Sequence, residues 1–338
     1  MNPDNSRRGL LVLGAAAVGA PTLLFPPAGA QSAQTLRIGH VLAPSHQFHQ
    51  GLELAAKKLA EDTGGRLKLQ VFPSSQLGTE RDMNIAIRTG AVDMLLASPG
   101  GASVHLKELA VLEAPYLFRD NAHWQAVVNG PIGEEWKKKI QATSKVHIVG
   151  WFHRGTRHVI SKAKPYETIQ AMARQKIRVA DLPPYPQVFR AFGAVPTPIA
   201  FAEMYSALQS GIVDGADVPL DTIASQKLHE VSKYVNLIAW SFAAPGPILM
   251  SDAAFSQAGA DGQKALQAAI AAGSDFVTNA FTAGDEAAKK HLVANGMVLN
   301  TPTDLPAWRA AAEKAIPELS ATWGGDMAVY QRIRAYGA

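Results

Sequence analysis

Between residues 36 and 97 the chain alternates short β-type runs with stretches of helical spacing, which restricts it to βαβ units around a mostly parallel sheet. Leu36 to Val41 reads as a first strand. Leu52, Ala55, Ala56, Leu59 and Ala60 recur at helical spacing until Gly64-Gly65, where glycine can take the left-handed conformation that ends a helix. Leu67 to Phe72 alternates as a second strand and Pro73 to Gly78 as a loop. Glu80 to Thr89 reads as a helix stopped by Gly90, and Val92 to Ala97 as a strand opening into Ser98-Pro99-Gly100-Gly101.

Further along, Trp124 to Val128 and Ile132 to Thr143 read as helices, followed by a strand at Val146 to Phe152 and the turn Arg154-Gly155-Thr156-Arg157. A second series starts there, which places a second lobe on this stretch. It holds strands at His158 to Ser161, Lys176 to Val179 and Val213 to Ala216, and helices at Gln187 to Phe192 and Glu203 to Ser210, the latter stopped by Gly211. From Asp261 to Ala294 nearly every residue favours helix, with Gly273 and Gly284 interrupting, so one long or kinked helix is expected to cross both lobes.

Composition excludes several classes. With 338 residues, 47% hydrophobic and 18% charged, the chain can bury large cores and is neither disordered nor fibrous, and two domains are expected. The net charge of +4 is spread along the chain without a run of five or six like charges, so nothing marks a nucleic-acid tail. Arg7 and Arg8, the apolar stretch Leu10 to Leu24 and Ala28-Gly29-Ala30 form an export signal, with cleavage expected after Ala30. Ser6-Arg7-Arg8-Gly9-Leu10-Leu11 resembles a twin-arginine signal, an ordinary secretory signal being the alternative. The exported remainder is expected to be periplasmic and soluble, since no other segment has eighteen consecutive apolar residues. Without cysteine it has no disulfide scaffold, so its cores must stabilise it alone.

No dinucleotide fingerprint, Walker loop, nucleophile elbow or H-E-x-x-H is present. The pairs His46/His49 and His153/His158 lack a third ligand at a recognised spacing, so no metal and no cofactor is expected. Arg178 lies inside an apolar strand, Ile177-Arg178-Val179, and Arg157 follows a glycine turn. A buried guanidinium requires a partner, and its fork suits a carboxylate. That partner is either a ligand or an internal acid such as Asp181 or Asp217.

At these residues the chain resembles a known family, the extracytoplasmic solute-binding proteins of tripartite ATP-independent periplasmic (TRAP) transporters, of the dicarboxylate-binding type. The resemblance runs through Phe72-Pro73-Ser74-Ser75-Gln76-Leu77-Gly78, Gly90-Ala91-Val92-Asp93-Met94, Ala114-Pro115-Tyr116-Leu117-Phe118, Gly155-Thr156-Arg157 and Lys176-Ile177-Arg178-Val179. Its most specific piece is Glu203-Met204-Tyr205-Ser206-Ala207-Leu208-Gln209-Ser210-Gly211-Ile212-Val213-Asp214-Gly215.

The resemblance implies a two-lobed α/β periplasmic solute-binding fold that closes around an anion, with the long helix in the hinge. Lobe 1 is expected at residues 31–154 plus 243–282, and lobe 2 at residues 155–242 plus 283–338. Arg178 matches the family residue that pairs with the ligand carboxylate, and Arg157 a supporting arginine. Ser98, Asp181, Phe201, Asp217, Val218 and Trp240 match further cleft positions. The implied partners are a small organic-acid ligand and integral membrane transporter subunits.

Ser98 stands where better-known members carry glutamate, Val218 where many carry asparagine, Trp240 at a position often polar, and Asp181 where asparagine is common. These departures imply a more apolar cleft and a hydrophobic or aromatic monocarboxylate, with a C4 to C6 dicarboxylate as the alternative. Asp181 is expected to pair with Arg157 or Arg154, or to read a ligand hydroxyl or amine. Two rivals share these residues: a hydrolase or lyase using His153 or His158 as base, for which no nucleophile is addressed, and a ligand-binding partner of a membrane sensor.

Overall fold

The computed structural model describes residues 33–241 and 245–337. The expected signal at residues 1–30 lies outside them, as do residues 242–244 at the expected lobe boundary.

Among the described residues the strands are β1 (Gln34–Gly39), β2 (Leu67–Phe72), β3 (Met94–Leu96), β4 (Val146–Phe152), β5 (Arg157–Ser161), β6 (Lys176–Val179), β7 (Val195–Pro198), β8 (Gly215–Pro219), β9 (Tyr234–Ser241), β10 (Gly246–Ser251) and β11 (Val298–Asn300). They form two sheets, ordered β2-β1-β3-β10-β4 and β11-β9-β5-β8-β6-β7. In the first, β1 runs parallel to β2 and β3 while β10 runs antiparallel to β3 and β4. In the second, β6 is parallel to β7 and β8, β5 is antiparallel to β8 and β9, and β11 is parallel to β9.

The sheets are therefore more mixed than the expected mostly parallel arrangement. The reason lies in strands that periodicity does not reveal. All of β10 is buried, so it shows no alternation, and Pro247 within it argues against a central strand. It is accommodated beside a register shift between Ile248 and Leu249. Strands β7, β9 and β11 also escape the sequence pattern.

The long helix spans Asp252–Ala294 and breaks at Gly259, where φ is 65°. Gly273 and Gly284 do not interrupt it. Leu266, Ile270, Val277 and Phe281 pack with Ile38, Leu52 and Phe152 in the core of the first sheet, while Leu292 joins Val235, Ile223 and Leu228 in that of the second. One helix thus contributes to both cores. Gly273 permits its close crossing with helix Gln47–Asp62: a Cβ at Gly273 would lie 2.5 Å from the carbonyl oxygen of Gly51. A third core joins Leu109, Leu112 and Trp136 to Trp308 and Trp323, from the C-terminal segment beginning with helix Leu305–Leu319.

Two glycines of one helix thus carry opposite expectations. Gly273→Ala should destabilise the chain by about 1–3 kcal/mol, because a methyl pressed against a backbone oxygen outweighs the gain of about 1 kcal/mol in helix propensity. At Gly284 nothing lies within 4 Å of a would-be Cβ, so Gly284→Ala should gain up to about 1 kcal/mol. Urea denaturation of both variants is the test; a shared sign would reject the crossing as the cause.

Candidate functional site

A cavity of about 370 Å³ opens between the two sheets, at the carboxyl ends of β1, β3, β6, β7 and β8. Side chains converge there because successive strands of a parallel array deliver their following loops to one edge. Arg157, at the start of β5, reaches the same edge because β5 is antiparallel and pairs Arg157 with Pro219 at the end of β8.

Arg178 projects from β6 between two buried apolar residues and is 3% exposed. Its Nε and Nη2 donate to the carbonyl oxygen of Ile199 at 3.0 and 2.8 Å, and its guanidinium stands 5.9 Å from the Phe201 ring centre. Among the described residues no carboxylate lies within ion-pair distance of it. Burial pulls its pKa down to about 10; Asp217 opposes the fall and Arg157 adds to it. It remains a cation at neutral pH.

Arg157 is differently committed. Its Nε donates to Asp217 Oδ1 and Oδ2 at 3.1 and 3.0 Å, and its Nη2 donates to Asp217 Oδ2 and to the Asp217 carbonyl oxygen. Burial alone would lower its pKa, but the Asp217 carboxylate outweighs burial and raises it. The Tyr185 ring lies 5.0 Å from the guanidinium. Here the internal acid is the partner, as one of the two readings of the sequence allowed.

Ser98, Asp181, Phe201, Asp217 and Val218 line the cavity together with Arg157 and Arg178; Trp240 does not. Trp240 is fully buried behind the wall, its Nε1 donating to Asp217 Oδ1 at 2.8 Å and its ring edge-on to Tyr185 and Phe189. An indole whose N–H is spent on a buried carboxylate is a structural group. Asp181 pairs with neither Arg157 nor Arg154: Arg81 Nη2 donates to its Oδ2 at 2.7 Å and to its carbonyl oxygen at 3.0 Å. Arg81 belongs to helix Glu80–Ala86 after β2, so this exposed pair bridges the cavity from first-sheet to second-sheet elements.

Ser98 caps helix Pro99–Ala102, accepting from the Gly101 N–H at 3.0 Å while its own Oγ and N–H donate to Glu80 Oε1 at 2.6 and 2.5 Å. Glu80 is the acid that sequence reasoning missed. A capping box between Thr79 and Asp82 sets it in the first turn of its helix, a pattern visible as Thr79-Glu80-Arg81-Asp82. His40 and His46 also enter the wall. His40 Nδ1 accepts from the Leu42 N–H, and its Nε2 lies 3.2 Å from His49 Nδ1. His46 Nδ1 accepts from the Phe48 N–H, and its Nε2 pairs with Asp221 of helix Leu220–Ser225. Among the described residues no cluster of three or more metal-ligating side chains occurs.

The model of the bacterial extracellular solute-binding proteins, family 7, matches residues 38–322. The chain belongs to this family. Its structure superposes on a TRAP periplasmic solute-binding protein from Polaromonas sp. JS666 bound to D-erythronate (TM-score 0.84, 27% identity, 90% of this chain and 99% of that one). It is similar also to one from Sulfurospirillum deleyianum with bound succinate (TM-score 0.82, 25% identity, 90% and 99%). An uncharacterised protein of Sinorhizobium fredii is 34% identical over 273 residues, 81% of this chain; the chain spans half the length of that relative. The family-7 protein is thus a TRAP-type solute-binding protein with a mixed α/β fold. Its family is one of extracellular solute-binding proteins, and the two structural relatives hold D-erythronate and succinate.

Two measurements test this electrostatic frame. Asp217→Ala leaves Arg157 buried without its counter-charge and should cost about 3–5 kcal/mol in urea denaturation; a loss below about 1 kcal/mol would mean that water replaces the carboxylate. Burial, before any other cause, holds His40 and His158 down to about 3 and His105 and His153 to about 4, against 6.5 when exposed. These imidazoles take up protons below 6.5 only on unfolding, so folded stability should fall as pH drops from 6.5 towards 4 and gain nothing from this source above 6.5. A melting temperature unchanged between pH 6.5 and 4.5 would contradict this.

Proposed function

We propose that the chain is the extracytoplasmic receptor of a TRAP transporter, capturing one small organic-acid anion in the cavity and passing it to integral membrane subunits. The observation that carries this reading is Arg178, a buried cation on the cavity wall with no carboxylate within ion-pair distance among the described residues. Its Nε and one N–H of Nη2 are anchored on Ile199, which fixes the guanidinium plane and leaves Nη1 and the second N–H of Nη2 to meet a ligand carboxylate. Arg157, held by Asp217, supports the site through its charge.

The remainder of the ligand is read from the opposing walls. Phe201 and Val218 favour an alkyl stem, and Glu80 favours a hydroxyl, since Ser98 occupies its Oε1 and leaves Oε2 as acceptor. The aromatic body suggested by Trp240 loses its support, because that ring lies behind the wall. A hydroxylated aliphatic acid fits better; D-erythronate in the Polaromonas relative is of this class. Residues 31–154 with 243–282 would form one lobe and residues 155–242 with 283–338 the other. The pairs Arg81–Asp181 and His46–Asp221 then join the lobes in a closed form. The exported chain would act in the periplasm.

A thermal-shift screen of mono- and dicarboxylates, hydroxy acids and aromatic acids would identify the ligand, since binding to the folded state alone raises the melting temperature. With the best ligand, Arg178→Ala should weaken binding by about thirtyfold to several-thousandfold, and Arg178→Lys should recover little, because an ammonium lacks the two-pronged fork. Calorimetry showing both variants within threefold of the unmodified protein would make Arg178 structural.

A further inference from the structure

The run Ser98-Pro99-Gly100-Gly101 puts two glycines into the short helix Pro99–Ala102. Neither has a positive φ, so alanine would suit the local backbone better at both positions. The reason for glycine lies in what each one meets. Gly101 faces its own side of the cavity: a Cβ there would press on Glu80 Oε1 and lie 3.0 Å from Asn84 Nδ2, both ends of side chains.

Gly100 faces the other side. A Cβ at Gly100 would collide with the carbonyl oxygen of Pro183, and would lie 3.3 Å from its carbonyl carbon and 3.5 Å from Leu182 Cβ. Gly100 follows β3 of the first sheet, whereas Pro183 lies between β6 of the second sheet and helix Tyr185–Ala191. The contact therefore crosses from the elements of one sheet to those of the other, backbone against backbone. A peptide carbonyl cannot swing aside as the end of a side chain can, so only glycine permits the approach.

The strip that Gly100 meets is gripped a second time two residues earlier. Arg81 Nη2 donates to both the carboxylate and the carbonyl oxygen of Asp181. Glu80 joins the two gripping pieces, since its helix carries Arg81 and its Oε1 accepts from the Ser98 hydroxyl and N–H. Residues 80–101 thus present one braced face, and residues 181–183 the strip on which it seats. Arg81, Ser98, Asp181 and Leu182 line the cavity, but Gly100 does not.

We propose that Gly100 is the closure stop of the cavity: the lack of a side chain there lets the face carrying Glu80, Arg81 and Ser98 seat on the Pro183 carbonyl, and so sets how completely the cleft shuts. The proposal rests on the two-lobe receptor reading above. Gly100 then acts on affinity through the population of the closed form and not through any group of the ligand. A receptor whose closed form is populated about a tenth as often binds about ten times more weakly, whatever it binds.

Gly100→Ala adds one methyl group at a helical position and separates closure from folding. Urea denaturation of the free variant should give the midpoint of the unmodified protein or a higher one, because an open cleft leaves room for the methyl group. Calorimetry with D-erythronate and succinate, the acids held by the two structural relatives, should show each acid that the unmodified protein binds weakened by one common factor, about tenfold or more. Small-angle X-ray scattering should show those acids compacting the unmodified protein and leaving Gly100→Ala extended. Binding within threefold of the unmodified protein, unequal losses for the two acids, or a variant destabilised without ligand would overturn the proposal. So would an unmodified protein that neither acid compacts. The receptor reading fails separately, if no acid of the thermal-shift screen raises the melting temperature.

Discussion

Asp217 is a carboxylate without access to water, and three donors close around it: two from Arg157 and the indole N–H of Trp240. A buried charge of this kind persists only when it is paired and hydrogen-bonded. Here the pairing also sorts the arginines. With Asp217 spent on Arg157, Arg178 is left as a cation whose two bonded nitrogens meet only a main-chain carbonyl. An apolar strand holding a charged side chain is tolerable in the free protein because that carbonyl and the Phe201 face take up part of the cost.

The two sheets supply this arrangement through strand direction. Parallel strands β1, β3, β6, β7 and β8 end at the cavity, so their ends and the loops after them bring His40, Ser98, Asp181, Phe201 and Pro219 to one place. Antiparallel β5 and β10 do the complementary work, starting where their neighbours end and so adding Arg157 and Gly246 to the same edge. The long helix is common to both cores, and its close crossing at Gly51 and Gly273 ties it to the first sheet along its middle.

Much of the site is legible in the sequence. Arg178 is conspicuous because Ile177 and Val179 leave it no polar neighbour along its strand, and Arg157 because of its glycine turn. Ser98, Asp181, Phe201, Asp217 and Val218 follow from the family resemblance, and all lie on the cavity wall. Trp240 shows the limit of that route. A position can correspond while its side chain points away, and only the register of β9 beside β5 sets the indole against Asp217 and not in the cavity. Glu80 escapes because a glutamate in a first helical turn is ordinary, and its partner Ser98 lies eighteen residues on.

What the sequence by itself determined is local and periodic: the first three strands, helices that end at glycine, the helix-rich stretch after residue 260, and an isolated guanidinium in an apolar run. These follow from backbone sterics and from burial along single elements, which need no knowledge of neighbours. Only the tertiary structure decided which acid each arginine meets. Arg157 takes Asp217, Arg81 takes Asp181, and Arg154 and Arg178 are left with main-chain carbonyls. Electrostatic partners are chosen by distance in space across sixty or a hundred residues of chain, and strand order, which sets those distances, is itself settled by buried strands such as β10 that carry no readable period.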